Sequence, residues 1–428
     1  MKSYHNLNTP KISDVANKTV LVRVDYNVPL ESQHSTIVVK DDKRIAQSVE
    51  TIHFLIKAGA KIVLLSHLGR PKSASDAHLS LEPVAQHLQK KFHIHCQFYP
   101  ATVGEKVIEA VAQLRSGEVL LLENLRFHPE EKAADNTFAK QLAKLGDIYI
   151  NEAFSSLHRK HASTYVLPQL LPNFAGFDLA REVATLEKLL TEPRRPFICL
   201  IGGAKIADKV DAIKVLASKA DAILIGGGIA NNFFKAEGLE IYRSFTQEVN
   251  RVTNDPEVDY TKMAGQLIAA HKHERLLKDG YIPLPKIIYP IDVVAAPSIT
   301  ETDRRKLQTL DLSHDMLDKP EHEKLVFADI GPKTIRLYRE LLMQAETIFW
   351  NGPMGVWEND LFANGTHKLA CAVADATATS VIGGGDTIGA IDHFGLGAAY
   401  SYISTGGGAS LEFLSGTDLP GLEVLTNK

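Results

Sequence analysis

An α/β fold of two doubly wound parallel-sheet domains is expected from this sequence, on three observations. The chain has 428 residues, more than one hydrophobic core usually organises, so two domains are expected. Short apolar runs alternate with stretches of helical spacing along its whole length, and each run is apolar throughout rather than at every second position. That is the pattern of parallel strands covered by helices on both faces. The runs also end in glycines or in charged residues, and the C-terminal strand ends of such a sheet are where ligands bind.

Composition narrows the class. A formal net charge of −4 gives no support for nucleic acid or a membrane surface as partner. The cysteines Cys96, Cys199 and Cys371 are far apart in apolar contexts. They form no metal-ligand spacing or disulfide framework, which fits a reducing cytoplasm. The first residues, MKSYHNLNTPKISD, hold no apolar signal core, and no stretch is long enough to span a bilayer.

In chain order, TVLVRV (19–24) reads as a strand running into Asp25, Asn27 and Pro29. Arg44 opens a helix with apolar positions Ile45, Val49, Ile52 and Ile56, closed by Gly59. KIVLLS (61–66) leads to His67, Gly69, Arg70 and Pro71, with a helix near 81–91. VLLLE (119–123) leads to Asn124 and Arg126, with a helix near 136–145. DIYIN (147–151) leads to Glu152, His158, Arg159 and His161. Several arginines beyond consecutive strand ends imply a small, strongly anionic ligand, because their planar forks match carboxylate and phosphate oxygens. His67 and His158 read as general acids or, in preference, as orienting hydrogen-bond donors, since phosphoryl transfer asks little proton chemistry of the protein.

A helix at 179–190 joins the halves and is broken by EPRRP (192–196). The second half repeats one device four times. FICLIGGAK (197–205), AILIGGGIA (222–230), SVIGGGDTIGA (380–390) and YISTGGGAS (402–410) each end an apolar run in glycines. Glycines at a strand-to-helix turn let a ligand approach the backbone, and the helix end favours phosphate. Asp386 beside such a phosphate makes sense with a divalent cation between them. Lys205 and Lys209, four apart, are expected on one face of the following helix, in reach of a phosphate. The glycine spacing fits neither a dinucleotide fingerprint nor a P-loop. The stretch 243–279 reads as a surface excursion, helical over 260–277. The run 286–294 reads as one strand, and DIGPKT (329–334) as a turn before a helix at 335–345. TIFWNGPMGVWE (347–358) reads as a strand and a constrained turn presenting Asn351 and Glu358.

These motifs together resemble the phosphoglycerate kinase family over nearly the whole length. The matching segments are RVDYNVP, SHLGRP, LLENLRF, AGF, GGAKIADK, IGGGIAN, DIGPKT, WNGPMGVWE, GGGDT and STGGGASLE, in family order. The resemblance implies two Rossmann-like domains facing each other across a cleft. It divides the chain into 1–178 holding the acid, a linker helix 179–195, and 196–410 holding the nucleotide, with the tail 411–428 returning to the first domain. It implies that Asp25, Tyr26, Asn27, Arg44, His67, Leu68, Gly69, Arg70, Arg126 and Arg159 hold 3-phosphoglycerate or 1,3-bisphosphoglycerate. Gly203, Lys205, Lys209, Gly227, Asn351, Glu358, Gly383, Gly384, Gly385, Asp386 and Thr387 would hold ATP or ADP, with Glu358 on the ribose and Mg²⁺ on Asp386. Arg44, Lys205 and Gly384 would act on the transferring phosphoryl group. A cytoplasmic monomer is expected, with hinge closure as a required step.

The sequence departs from the family pattern at Glu152, Ser155 and Ser156, where an Asp and a Gly-Thr pair are usual. It also departs in the long excursion and at Ala328 near the expected base pocket. A non-catalytic, binding-only relative is the competing reading. The charged residues expected to act are nevertheless all present.

Overall fold

The computed structural model describes residues 7–33, 36–73, 75–247, 258–272, 275–278, 280–312 and 320–426. Of the excursion at 243–279, residues 248–257, 273–274 and 279 lie outside the described ones, as do the first six residues and the last two of the tail. The chain divides into two compact units, Met1–Glu187 with Thr417–Lys428, and Lys188–Gly416. Among the described residues no helix is long and apolar enough to cross a membrane.

The first unit is built on six parallel strands: β1 (Thr19–Arg23), β2 (Lys61–Leu65), β3 (Cys96–Tyr99), β4 (Val119–Leu122), β5 (Ile148–Asn151) and β6 (Asn173–Ala175). Their order across the sheet is β3-β4-β2-β1-β5-β6. All four residues of β4 and of β5 are buried, as their unbroken apolar runs require. Helix α1 (Lys43–Lys57) turns Ile45, Ile52 and Leu55 into this core. The linker helix α2 (Phe177–Thr191) carries the chain across the boundary between the units. The C-terminal helix Pro420–Thr426 packs on the first unit, where Gly421 N–H donates to Leu157 O at 2.9 Å. Several elements escaped the periodicity reading, among them the edge strands β3 and β6, the helix Glu105–Ala112 and a hairpin of Leu30–Gln33 with Thr36–Val39.

The second unit repeats the plan with β7 (Phe197–Ile201), β8 (Ala222–Ile225), β9 (Ile287–Ile288), β10 (Thr347–Asn351), β11 (Thr379–Gly383) and β12 (Tyr402–Ile403). All pairs are parallel, in the order β9-β8-β7-β10-β11-β12. Beside it stands a three-stranded antiparallel sheet of Asp292–Ala296, Gln308–Asp311 and Val326–Ile330, which the sequence reading missed. The single strand expected over 286–294 is therefore two, in different sheets. Pro290 between them has no N–H to continue a ladder. Asp329 and Ile330 end a strand rather than form a turn, and α3 (Pro332–Leu342) starts at Pro332, which the first helical turn accommodates. The helix expected over 260–277 stops at Ala270. Arg275–Lys278 instead pairs with Gly280–Pro285 as a hairpin, and the alternating YIPLP run there suits a strand.

Two buried carboxylates fix the joints of this second unit. Asp292 accepts Thr334 N–H at 2.8 Å, Thr334 Oγ1–H at 2.7 Å and Lys333 N–H at 2.9 Å, capping the start of α3. Asp329 accepts Gly365 N–H at 2.7 Å and Ile330 N–H at 2.9 Å. Burial raises its pKa to about 8, and these two amides only partly offset the rise.

Asp292→Ala removes the acceptor of two buried donors on Thr334 and a part-buried one on Lys333, and should lower stability by about 2–3 kcal/mol. Both tryptophans of the chain, Trp350 and Trp357, lie in this unit, so urea unfolding followed by their fluorescence reads the loss directly. For Asp329 the raised pKa means the fold favours the neutral form. That contribution is complete below the ordinary value of 3.8 and is lost as pH rises through about 8. The same fluorescence unfolding should show stability falling between about pH 4 and 8, with a shallower slope in Asp329→Asn.

Candidate active site

In the first unit the charged residues gather at the C-terminal ends of β1, β2, β4 and β5, which lie side by side in the sheet. Arg23, the last residue of β1, is fully buried. Its Nε–H donates to Ser163 Oγ at 2.9 Å, and another of its N–H groups to Val24 O. Nη2–H donates to His67 Nδ1 at 2.9 Å. A guanidinium can only donate, so His67 Nδ1 is the acceptor and its proton sits on Nε2, free to donate outward. Burial holds His67 well below the usual histidine pKa, reinforced by Arg23, Arg126 and Arg44. The imidazole is therefore neutral at physiological pH.

Glu131 sits behind this contact, accepting Ser163 Oγ–H at 2.6 Å and Ser163 N–H at 2.9 Å. The order of this relay is Glu131, Ser163, Arg23, His67. Arg126 is 7% exposed, and its Nη1–H donates to Gly69 O at 2.7 Å. Its buried Nε has no partner. Burial, then the charges of Arg23 and Arg159, push its pKa down to about 10. His161 is pushed down to about 3 by burial and then by Arg23, Arg126 and Arg159; its Nδ1 has no hydrogen-bond partner and lies 3.9 Å from Glu131 Oε1.

Asn124 ties the loops together, accepting Leu68 N–H and Arg126 N–H while donating to Leu68 O and Leu79 O. Asp25 accepts Arg44 Nη1–H at 2.9 Å and Asn27 N–H at 3.1 Å. Asn27 Oδ1 accepts Gly69 N–H at 2.8 Å. Arg70 and Arg159 are exposed. The expected acid-site residues thus share one sheet edge. Tyr26 and Leu68 differ from the rest in that their side chains lie in the core. The Tyr26 hydroxyl meets Ser48 Oγ at 2.9 Å, and the backbone groups of both Tyr26 and Leu68 are paired within the protein: Tyr26 N–H donates to Ser66 Oγ, Tyr26 O accepts Val28 N–H, and Leu68 N–H and O pair with Asn124. Sequence reading took Arg23 as a strand residue. The one signal was a charge inside an otherwise apolar run.

In the second unit the adjacent strands β8, β7, β10 and β11 end at Gly226–228, Gly202–203, Gly352 and Gly383–385. These turns pack backbone on backbone. A Cβ on Gly202 would overlap Pro353 O, and one on Gly352 (φ +94°) would overlap Gly202 O. The turn at Gly406–408 follows the edge strand β12, and none of its residues lines the cavity described next.

That cavity, about 630 Å³, is of ligand-binding size. Gly203, Gly227, Glu358 and Asp386 stand on its wall, with Val293, Phe327, Ala328 and Val356 as apolar surface. Arg243 and Phe245 from the excursion also line it. Asn351 is buried with Nδ2 unpartnered and lies against Gly384. Thr387 Oγ1 accepts Gly352 N–H at 2.6 Å. Lys209 lies over Gly203, its pKa lowered by burial while Asp208 and Asp386 act to raise it. Lys205 and Lys209 do not share a helix face. A 3₁₀ turn, Ile206–Asp208, separates them, and the α-helix starts only at Val210. Asp386 is an exposed oxygen donor in the first turn of α4 (Gly385–His393). Among the described residues no three His, Cys, Asp or Glu side chains cluster to hold a metal alone. One carboxylate completed by nucleotide phosphates matches how Mg²⁺ is commonly bound.

The phosphoglycerate kinase family model matches residues 11–417. A phosphoglycerate kinase of Pseudothermotoga lettingae is 42% identical over 420 residues, covering 98% of each chain. One of Herpetosiphon aurantiacus is 42% identical over 424 residues, covering 99% of this chain and all of its own. Two solved structures are also similar. Phosphoglycerate kinase from Coxiella burnetii has a TM-score of 0.79 at 34% identity, covering 96% of this chain and 97% of its own. That from Pyrococcus horikoshii has a TM-score of 0.77 at 32% identity, covering 96% of both. The chain belongs to the phosphoglycerate kinase family.

Proposed function

We propose that this chain catalyses reversible Mg²⁺-dependent transfer of a phosphoryl group between ATP and the carboxylate of 3-phosphoglycerate, giving ADP and 1,3-bisphosphoglycerate. The observation that carries the reading is the buried cation cluster of the first unit. Arg23 and Arg126 lie in a desolvated site with too few carboxylates to neutralise them, a costly arrangement unless an anion completes it. A small acid bearing both a carboxylate and a phosphate meets that demand.

In this reading Arg70, Arg126 and Arg159 take the phosphate end, while His67 Nε2–H donates to an oxygen of the acid. Arg44 leaves Asp25 to face the reacting carboxylate. That carboxylate is already ionised near neutral pH, so no side chain needs to remove a proton, and positioning and charge neutralisation carry the catalysis. In the second unit the Gly383–385 amides and Lys209 hold the nucleotide phosphates, Glu358 the ribose, and Asp386 the magnesium. When bound, that ion supplies charge neutralisation between the phosphate oxygens. Lys205 and Gly384 N–H face the transferring group. Direct transfer requires donor and acceptor to come within bonding reach, so the two units must meet during turnover. The free cysteines are consistent with a reducing cytoplasm, and we read the chain as a cytoplasmic monomer.

Purified protein given MgATP should release ADP only when 3-phosphoglycerate is present. Arg44→Ala and Lys205→Ala should each lower kcat by about 10²–10³-fold. Binding of both substrates without turnover in the unsubstituted protein would instead support the binding-only relative. Lys209→Ala should act mainly on nucleotide affinity, raising the KM for MgATP about tenfold in steady-state assays.

A further inference from the structure

Glu152 stands where the sequence departs from its family, and the structure joins it to three elements at once. Helix α2 opens with three amides that have no intrahelical partner. Phe177 N–H donates to Thr51 Oγ1 at 3.0 Å, and Leu179 N–H donates to Glu152 Oε2 at 2.9 Å. Asp178 N–H reaches Glu152 Oε1 at 3.4 Å. The Thr51 hydroxyl in turn donates to Glu152 Oε1. The helix is therefore capped in trans, by a strand-end loop and by α1, rather than by a residue preceding it. The glutamate is 5% exposed, and Gly176 makes room for it, since a Cβ there would overlap its carboxylate.

The opposite end of the same loop reaches the acid site. Glu152 N–H donates to Arg23 O at 2.8 Å. Three residues on, the Ser155 hydroxyl donates to the Asp25 carboxylate that also holds Arg44. The intervening Phe154–Ser156 is a 3₁₀ turn with little slack. Thr51 stands about two turns along α1 from Arg44. Two paths thus run from Arg44 to the first turn of α2: one through Asp25, Ser155 and Glu152, the other through α1 and Thr51.

We propose that Glu152 is a positioning residue that links occupancy of the acid site to the order of the first turn of α2, with Ser155 as its connection to Asp25. The inference rests on the reading of the first unit as the phosphoglycerate site. An anion that draws Arg44 away from Asp25 leaves that carboxylate to hold Ser155 more strongly. The short loop passes the change to Glu152 and so to the helix along which the chain crosses to the second unit. The link is worth only the difference in ligand affinity between the two arrangements.

The test is hydrogen exchange at the amides of Phe177, Asp178 and Leu179 with and without 3-phosphoglycerate, run beside the turnover assay on the same full-length samples. In the unsubstituted protein the acid should slow exchange at these amides about tenfold. Ser155→Ala should leave their exchange without ligand unchanged and reduce the slowing to less than about twofold. Glu152→Gln should speed their exchange and raise the KM for 3-phosphoglycerate severalfold, with the KM for MgATP unchanged. Equal slowing in Ser155→Ala overturns the link, as does no slowing in a protein that turns over the acid. A protein that neither binds nor turns over 3-phosphoglycerate overturns the site reading itself, and the link with it.

Discussion

The constraint on which the first unit depends is the burial of guanidinium groups beside one another. Arg23 is fully buried at the end of a central strand, Arg126 is nearly so, and His67 and His161 are held neutral between them. Each would be stabler beside a carboxylate. The chain supplies few: Glu131 reaches Arg23 only through Ser163, and Asp25 is committed to Arg44, Asn27 and Ser155. The charge left over is what an anionic substrate would neutralise. The cost to the apo fold is the binding energy in waiting, because the donors are already aimed and desolvated. The surrounding detail follows from it. Asn124 locks two loops so that the donors cannot relax into water, and the Arg23 contact fixes which nitrogen of His67 carries the proton.

The second unit solves a different problem with the same sheet. Its ligand surface is mostly backbone, and backbone can approach a phosphate closely only where side chains are missing. Gly202 and Gly352 exclude a Cβ because the neighbouring turn occupies that volume, so these glycines build the wall. At Gly385, by contrast, a Cβ would meet open space. Cations are few here and partly exposed, and much of the cavity wall is apolar.

Much of this was legible in the sequence because the parallel sheet writes itself plainly. Strands buried on both faces are unbroken apolar runs, and whatever follows them lands on one edge. Asp25, His67, Arg126 and Arg159 could therefore be grouped before any coordinates. What failed to show was nonlocal. The antiparallel sheet around Asp292–Ala296 pairs segments far apart in sequence, and the role of Arg23 lies in partners on three other segments. Likewise nothing local marks Glu152 as the cap of a helix that begins twenty-five residues later. Helix 260–277 was overextended because a short apolar run reads equally well as strand.

The central claim is that the first unit holds a preorganised, unneutralised cation cluster for the acid. The direct measurement is calorimetric titration of 3-phosphoglycerate into the nucleotide-free protein across a range of salt concentrations, beside Arg126→Ala. Binding should weaken steadily as salt rises and be largely lost in the variant. Binding that is indifferent to salt and retained by Arg126→Ala would contradict it.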